Sequence, residues 1–355
     1  MSEVLRAHVD LAGRPTDIEF APGGFAEVWA RVRSLAPSAG RVGLAIDPNV
    51  EAHWPLPAPV DLDVVRLPVP AGEAAKTRDA LQQLQDGWIH LRRDEPILAV
   101  GGGAVLDVVG FAAATLRRGL PWIAVPTTVV AMADASVGGK TAINHPAGKN
   151  LIGSFHPPRY VLTDVDFLGT LPPRDMTAGL AELYKVGRLA DAELLALLRN
   201  GPPTSADAWS RCLHRAVEAK ARLVEADERD AGVRRLLNYG HTIGHALETL
   251  LGNERVRHGE AVAIGMDRAA ALAVARGLLD ASLRAEQAEA LRVLGLDVAL
   301  PADVMPEAIL ETLGRDKKRA AGGAHTFILP RGAHGCDVVE DVRDEEILAA
   351  LALQA

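Results

Sequence analysis

Three short stretches carry side chains able to hold a divalent cation. Ala181-Glu182-Leu183-Tyr184-Lys185 puts Glu182 and Lys185 three residues apart, on one face of a predicted helix. Asn238-Tyr239-Gly240-His241-Thr242-Ile243-Gly244-His245 places His241 and His245 four apart, again on a shared face. In His258-Gly259-Glu260 a histidine stands just before another helical pattern. One carboxylate with two or three imidazoles suits a zinc-type cation that keeps a position open for substrate. Histidines at this spacing also occur on solvated helix faces and in satisfied cores, so spacing alone does not decide which are ligands. His145, His156 and His325 lack such company and read as structural or surface residues.

A second group of residues points to phosphate chemistry. Gly101-Gly102-Gly103 follows an apolar run and opens a helical pattern, with Asp107 one turn in. Glycines let a backbone approach a pyrophosphate closely, and a helix N-terminus supplies partial positive charge. The segment departs from the G-x-G-x-x-G fingerprint, because Leu106 stands at the third glycine. A plain tight turn reads the same locally. Asp47 closes an earlier apolar run and suits either a ribose hydroxyl or a helix cap. Asp134 to Asn144, followed by Gly148-Lys149-Asn150, has the glycine-rich, polar chemistry of a phosphate-binding loop without the P-loop pattern. Arg118, Lys185, Lys220 and Arg234 lie beside glycines, histidines and asparagines rather than in amphipathic stripes.

The elements that must position these groups fall into two textures. Arg41–Ile46, Pro96–Val100, Trp122–Val125 and Tyr160–Asp164 read as strands, with helical stretches such as Thr77–Leu91 and Ala104–Leu116 among them. That alternation predicts an α/β domain with a covered parallel sheet. Beyond residue 168 the pattern is helical over Ala178–Leu198, Ala206–Ala226, Tyr239–Leu251, Gly259–Arg276 and Leu283–Leu294, with one strand at His325–Leu329. The expectation is an α/β, Rossmann-like domain over 1–168 and a mainly α-helical domain over 169–355, divided near Leu171-Pro172-Pro173.

Bulk composition fits this plan. The 355 residues are 48% apolar, enough for two cores, and the formal charge of −8 argues against a nucleic-acid partner. No 18-residue apolar run predicts a membrane span, and the N-terminus lacks a signal-peptide core. Cys212 and Cys336 lie far apart, which predicts two reduced thiols in a cytoplasmic protein.

Taken together, these motifs resemble the sugar phosphate cyclases, and among them the 3-dehydroquinate synthase family. The resemblance is carried by Gly101-Gly102-Gly103 with Asp107, Gly110 to Ala114, Val125-Pro126-Thr127-Thr128, Asp134 to Lys140 and Gly148-Lys149-Asn150. Thr170 to Arg174, Ala178 to Glu182, Leu236 to Thr242, Gly244-His245 and His258 to Val262 complete it, over roughly residues 70 to 330. It implies that Glu182, His241 and His258 hold a metal, Zn²⁺ or Co²⁺. It implies NAD contacts from Asp47, Glu73, Lys76, Gly102, Gly103, Asp107, Thr127, Thr128, Lys149 and Thr170. Asp134, Lys140, Asn150, Lys185, Lys220, Arg234, Asn238 and His245 would line the substrate site, with Asp134, Lys185, Lys220, Asn238 and His245 in catalytic roles. Arg118 would reach a substrate phosphate, from its own subunit or across a homodimer interface. Lys317 or Lys318 would complete the anion site.

The implied reaction converts 3-deoxy-arabino-heptulosonate 7-phosphate into 3-dehydroquinate and phosphate. It runs by transient oxidation with NAD, phosphate elimination, reduction, ring opening and intramolecular aldol closure. Leu106, Ala135 and Tyr184-Lys185-Val186 depart from the family pattern, though none replaces a group the chemistry needs. Sister cyclases acting on sedoheptulose 7-phosphate or glucose 6-phosphate are the first alternative. Their substrates lack a carboxylate, whereas Lys140, Arg234, Asn238 and His245 all match the dehydroquinate type. A metal-dependent alcohol or glycerol-phosphate dehydrogenase is the second alternative, and a catalytically inert binding homologue the third.

Overall fold

A computed structural model describes residues 4–315 and 324–353, apart from the side chains of Asn253 and Arg315. The chain divides into two compact units, Met1–Pro172 with Thr204–Glu228, and Pro173–Pro203 with Arg229–Ala355. The main division thus falls four residues beyond the expected 168/169 boundary. The helix over 206–226, placed by sequence in the second domain, belongs to the first unit.

The first unit contains β1 (Leu5–Asp10), β2 (Pro15–Phe20), β3 (Arg41–Ile46), β4 (Asp63–Arg66), β5 (Ile97–Gly101), β6 (Trp122–Pro126), β7 (Lys140–His145), β8 (Gly148–Phe155) and β9 (Tyr160–Thr163). Its helices are α1 (Val28–Leu35), α2 (Pro48–His53), α3 (Arg78–Trp88), α4 (Gly103–Thr115) and α7 (Ala206–Ala226). Seven strands form one sheet in the order β1-β2-β9-β6-β5-β3-β4. All neighbours pair in parallel except β1 with β2. The central strands β5, β6 and β9 are buried at every residue, which is why they read as unbroken apolar runs. The edge strand β1 is mostly exposed or half-buried.

Strand order decides where a ligand can sit. The chain passes from β3 to β4 on one side, then returns to β5 on the other side of β3. A parallel sheet opens a crevice at the carboxyl ends of its strands where the order reverses. Asp47 follows β3 and Gly101-Gly102-Gly103 closes β5, so both lie at that reversal.

From Lys140 on, the stretch with phosphate-loop chemistry is the antiparallel β7–β8 hairpin, with Lys140 opposite Phe155 and His145 opposite Gly148. Thr141, Ala142 and Ile143 are buried, and that burial together with cross-strand pairing outweighs the polar, glycine-rich composition.

The second unit contains α5 (Pro173–Ala190), α6 (Ala192–Leu198), α8 (His241–Arg255), α9 (His258–Ala275), α10 (Ala281–Val293), α11 (Pro306–Arg315) and α12 (Asp344–Ala352), with the hairpin β10 (His325–Pro330) and β11 (Cys336–Val342). The single helix expected over 178–198 is two helices. It starts earlier, at Pro173, and breaks at Asp191, whose side chain accepts a hydrogen bond from Leu194 N at 2.9 Å and caps α6. β11 was not legible because its residues are half-buried and mixed in polarity.

α9 is buried over most of its length and sits against both α5 and α8. Glycines make this closeness possible. A Cβ at Gly259 would overlap the Ala178 carbonyl oxygen of α5, and one at Gly265 would overlap the carbonyl oxygen of Gly240, at the start of α8. Both cysteines are free, and burial pushes the Cys212 thiol up to about 11 and the Cys336 thiol up to about 12. Among the described residues no helix is long and apolar enough to cross a membrane.

Candidate functional site

The close approach of α5, α8 and α9 brings one ligand-type side chain from each to a point. Glu182 lies on α5 and is fully buried. Its Oε1 is 3.5 Å from His258 Nε2 and 3.8 Å from His241 Nε2. Donor atoms of all three residues lie within 4.8 Å of one another. Lys185 Nζ is 2.5 Å from Glu182 Oε2, and both side chains are 1% exposed. Yet neither Glu182 oxygen receives a well-directed hydrogen bond among the described residues. A buried carboxylate left this way is costly, and a cation at the focus of the three groups removes the cost. The residues therefore fit a metal.

The histidine tautomers follow from their other contacts. His241 Nδ1 is 3.2 Å from the Tyr239 carbonyl oxygen, which can only accept. Nδ1 therefore carries the proton, and the Nε2 lone pair faces Glu182. His258 Nδ1 is 3.2 Å from Glu248 Oε2, a carboxylate that accepts its proton's hydrogen bond, and its Nε2 is turned toward Glu182.

The first helical residue of α9, His258, is held in place by a clamp at that end. Glu260 accepts from Arg257 N at 2.9 Å and from Arg174 Nε and Nη2 at 2.7 and 2.8 Å. Arg174 also donates to the Glu254 and Arg255 carbonyls at the end of α8.

Charges in this cluster are strongly displaced. Burial pushes the Glu182 carboxyl up, but Lys185 and the two imidazoles outweigh it and hold it well below the usual carboxylate range. Burial and Lys185 hold His241 well below an ordinary imidazole. His258 moves the other way: burial opposes its charge, but Glu182 and Glu248 raise it to about 10. Two imidazoles whose ring centroids lie 5.2 Å apart thus differ because one lies near a lysine and the other between two carboxylates.

Of the spaced pair, His241 joins Glu182. His245 is exposed, edge-on to His241 at 5.1 Å, and groups instead with Glu248 and His258. Arg234 is buried and Asn238 half-buried in the turn Val233–Asn238 just before α8. Lys317 and Lys318 lie outside the described residues. Sequence reading missed Glu248, although it stands three and seven residues beyond His245 and His241, on their face of α8.

The first unit gathers the remaining expected residues. Gly102 is the N-cap of α4 and offers no capping side chain, so the helix N-terminus presents bare N–H groups. A Cβ at Gly102 would lie 3.3 Å from Thr128 Cγ2, and one at Gly103 would lie 3.2 Å from Ala135 Cβ. Small residues here keep the turn open to a diphosphate, and the residues fit a dinucleotide. Thr127 is buried, while Thr128 Oγ1 accepts from Ala131 N at 3.2 Å.

Asp107 on α4 pairs with Lys76 Nζ at 2.5 Å, and Lys76 also donates to the Asn150 side chain. Asn144 Nδ2 donates to Glu73 Oε1 at 2.6 Å, and Asn144 Oδ1 accepts from Asn150 N at 3.0 Å. Glu73, Lys76, Asp107 and Asn150 thus form one network, which joins Asn150, expected to line the substrate, to three residues expected to contact NAD. Asn144 is its unanticipated hub. Burial, opposed by Lys76, pushes the Asp107 carboxyl up to about 6.

Asp47 caps α2, accepting from Asn49 N at 2.9 Å. Thr170 Oγ1 donates to the Phe167 carbonyl oxygen at 3.1 Å and accepts from Trp54 Nε1 at 2.9 Å. Asp134 sits in a π-type turn, Ala131–Ala135, a geometry often found at functional sites. Its carboxylate is 2.7 Å from Lys220 Nζ on α7. Arg118, Lys140 and Lys149 are exposed, with Arg118 in the left-handed backbone region at φ 66°.

Known proteins share this sequence pattern and this fold. Residues 66–178 match the family described as 3-dehydroquinate synthase N-terminal, and residues 179–319 match 3-dehydroquinate synthase C-terminal. A 3-dehydroquinate synthase of Acaryochloris marina is 39% identical over 360 residues, covering 97% of this chain and 96% of that protein. A solved 2-deoxy-scyllo-inosose synthase, complexed with carbaglucose-6-phosphate, NAD⁺ and Co²⁺, superimposes with a TM-score of 0.87 at 26% identity, covering 99% of this chain and 100% of that one. The 2-epi-5-epi-valiolone synthase of Streptomyces hygroscopicus, with NAD⁺ and Zn²⁺ bound, gives 0.83 at 30% identity and 98% of each chain.

Proposed function

The chain belongs to the 3-dehydroquinate synthase family, and from that premise we propose that it converts 3-deoxy-arabino-heptulosonate 7-phosphate into 3-dehydroquinate and phosphate. It is a carbon–oxygen lyase that depends on NAD and on Zn²⁺ or Co²⁺, and it works as a cytoplasmic homodimer. The observation that carries the chemistry is the convergence of Glu182, His241 and His258 on one focus, with both oxygens of a buried carboxylate lacking a directed donor.

Glu182, His241 and His258 would hold the cation, which when bound supplies Lewis acidity toward a substrate carbinol oxygen. Lys185 keeps the Glu182 carboxylate ionised, so the ligand has no proton to shed. The Tyr239 carbonyl keeps the proton of His241 on Nδ1 and leaves Nε2 free to ligate.

In the first unit, the uncapped N-terminus of α4 would hold the NAD diphosphate, and Asp107, itself held by Lys76, would contact the nucleotide. Asp47, Glu73, Thr127, Thr128, Lys149 and Thr170 complete that contact set. Bound NAD supplies a hydride acceptor that is regenerated within each turnover, so NADH does not accumulate. Lys140 and Arg234 read the substrate carboxylate, and Arg118 its phosphate. The Lys220–Asp134 pair, Asn238 and His245 orient the substrate and exchange protons with it, and Asn150, tied to Lys76 and Asn144, lines the substrate site beside the nucleotide contacts.

Fold similarity to the sister cyclases is high, but their identity to this chain is 26% and 30% against 39% for the 3-dehydroquinate synthase of Acaryochloris marina, which favours the carboxylate-bearing substrate. The test is phosphate release with NAD and Zn²⁺ or Co²⁺ from three substrates in parallel: the heptulosonate 7-phosphate, sedoheptulose 7-phosphate and glucose 6-phosphate. Release from the first alone, without net NADH, is expected. Release from another alone would overturn the substrate, and net NADH formation would point to a dehydrogenase.

A further inference from the structure

We infer that Glu248 is a positioning residue for the metal centre, acting through His258. The inference rests on the reading of Glu182, His241 and His258 as metal ligands. Glu248 is buried on α8, and its Oε2 lies 3.2 Å from His258 Nδ1. An imidazole can turn either nitrogen toward a ligand, and only the group opposite decides which one carries the proton. A carboxylate at Nδ1 retains the proton there, fixes the ring plane and presents an electron-rich Nε2 to the focus at Glu182. His241 gets its orientation from a neutral carbonyl, so the two imidazole ligands are set by partners of different charge.

His245, Glu248 and His258 also group closely enough to suggest a second cation. That arrangement would require His258 to give up its Nδ1 proton while Nε2 is engaged elsewhere, leaving an anionic ring. Orientation by a hydrogen bond needs no such species.

The experiment compares wild type, Glu248→Ala and Glu248→Gln, each stripped with EDTA and titrated with Co²⁺ against a competing chelator, with the visible Co²⁺ spectrum recorded. Loss of a histidine's carboxylate partner lowers metal affinity by about 10- to 100-fold, and that is the loss expected for Glu248→Ala. Glu248→Gln keeps an oxygen that accepts from Nδ1 and should recover much of it. The melting temperature of the stripped protein should hold steady in both variants, while the rise on adding Co²⁺ shrinks in Glu248→Ala. A purely structural role would lower the stripped melting temperature and leave the affinity and the spectrum unchanged, overturning the inference. Two Co²⁺ per wild-type chain, with one lost in Glu248→Ala, would overturn it in favour of a second ion site. A wild-type chain that takes up no Co²⁺ would remove the metal reading itself, and this one with it.

Discussion

The two units solve the problem of buried charge in opposite ways. In the first unit the polar residues of the nucleotide set satisfy one another: Lys76 pairs with Asp107, Asn144 bridges Glu73 and Asn150, and Asp47 and Thr170 already hold backbone groups. Little there waits for a ligand except the bare start of α4. In the second unit Glu182 is fully buried and both its oxygens lack a directed donor, while two imidazoles aim Nε2 at it. A site built from satisfied side chains and open backbone loses binding gradually when one side chain changes. A site built around one buried ion pair whose carboxylate lacks directed donors loses everything with that carboxylate.

The largest expected effect is therefore at Glu182. Glu182→Ala should lose stoichiometric metal and turnover, and should destabilise the chain by about 3 kcal/mol because Lys185 is left as an uncompensated buried charge. Metal analysis and calorimetry check this, and NAD affinity measured alongside should be unchanged. A fall in NAD binding as large as the loss of metal would erase the distinction drawn here.

Lys76→Met is the counterpart in the first unit. It should raise the NAD Kd about tenfold, about 1.4 kcal/mol, with metal content intact. Equilibrium binding and metal analysis on one preparation test both halves.

Asp107 gives a pH signature. Its carboxyl is raised from 3.8 to about 6, so between those values the native state keeps a proton that the unfolded chain has lost. Its contribution to stability therefore falls as pH rises from about 3.8 to about 6, then stays level. Denaturant titrations across that window, without NAD, should show this slope in wild type and not in Asp107→Asn. An equal slope in both would mean that burial does not govern this group.

The smallest effect is expected away from both sites. Arg276 donates twice to Glu346 at 2.8 Å, which lowers that carboxyl to about 2. Its stabilisation is present above the unfolded value near 4.5 and is lost as pH falls toward 2. Glu346→Gln should cost under about 1 kcal/mol at pH 7, because the pair is solvent-accessible, with metal and NAD binding untouched.

Much of this was legible in the chain because the signals are local. β3, β5, β6 and β9 are buried runs that only strands of a covered sheet show, and the Gly101-Gly102-Gly103 turn is where a strand hands over to a helix. Glu182, His241 and His258 could be picked out as candidates from residue type and from family resemblance. The misreadings have physical causes. β7 and β8 lie in a polar, glycine-rich stretch, and burial of Thr141, Ala142 and Ile143 together with cross-strand pairing makes them strands. α7 has the pattern of its helical neighbours, and nothing in that pattern says which core it joins. Asp47 suited a ribose or a cap equally, and its bond to Asn49 N shows that it caps α2, a role that leaves its second carboxylate oxygen for the proposed nucleotide contact.

The sequence by itself determined the fold class, the element types and the chemical inventory, because these depend on hydrophobic period, turn residues and side-chain functional groups within a few positions. Spacing left His241 and His245 equal and the resemblance chose His241; only the tertiary structure decided that Glu248 backs His258 and that Asn144 ties Glu73 to Asn150. Those choices depend on how closely helices and loops distant in the chain approach, and on which ring nitrogen or carboxylate oxygen then comes within hydrogen-bonding distance. Contacts of that kind are set by packing at Gly259 and Gly265 and leave no periodic trace in the chain.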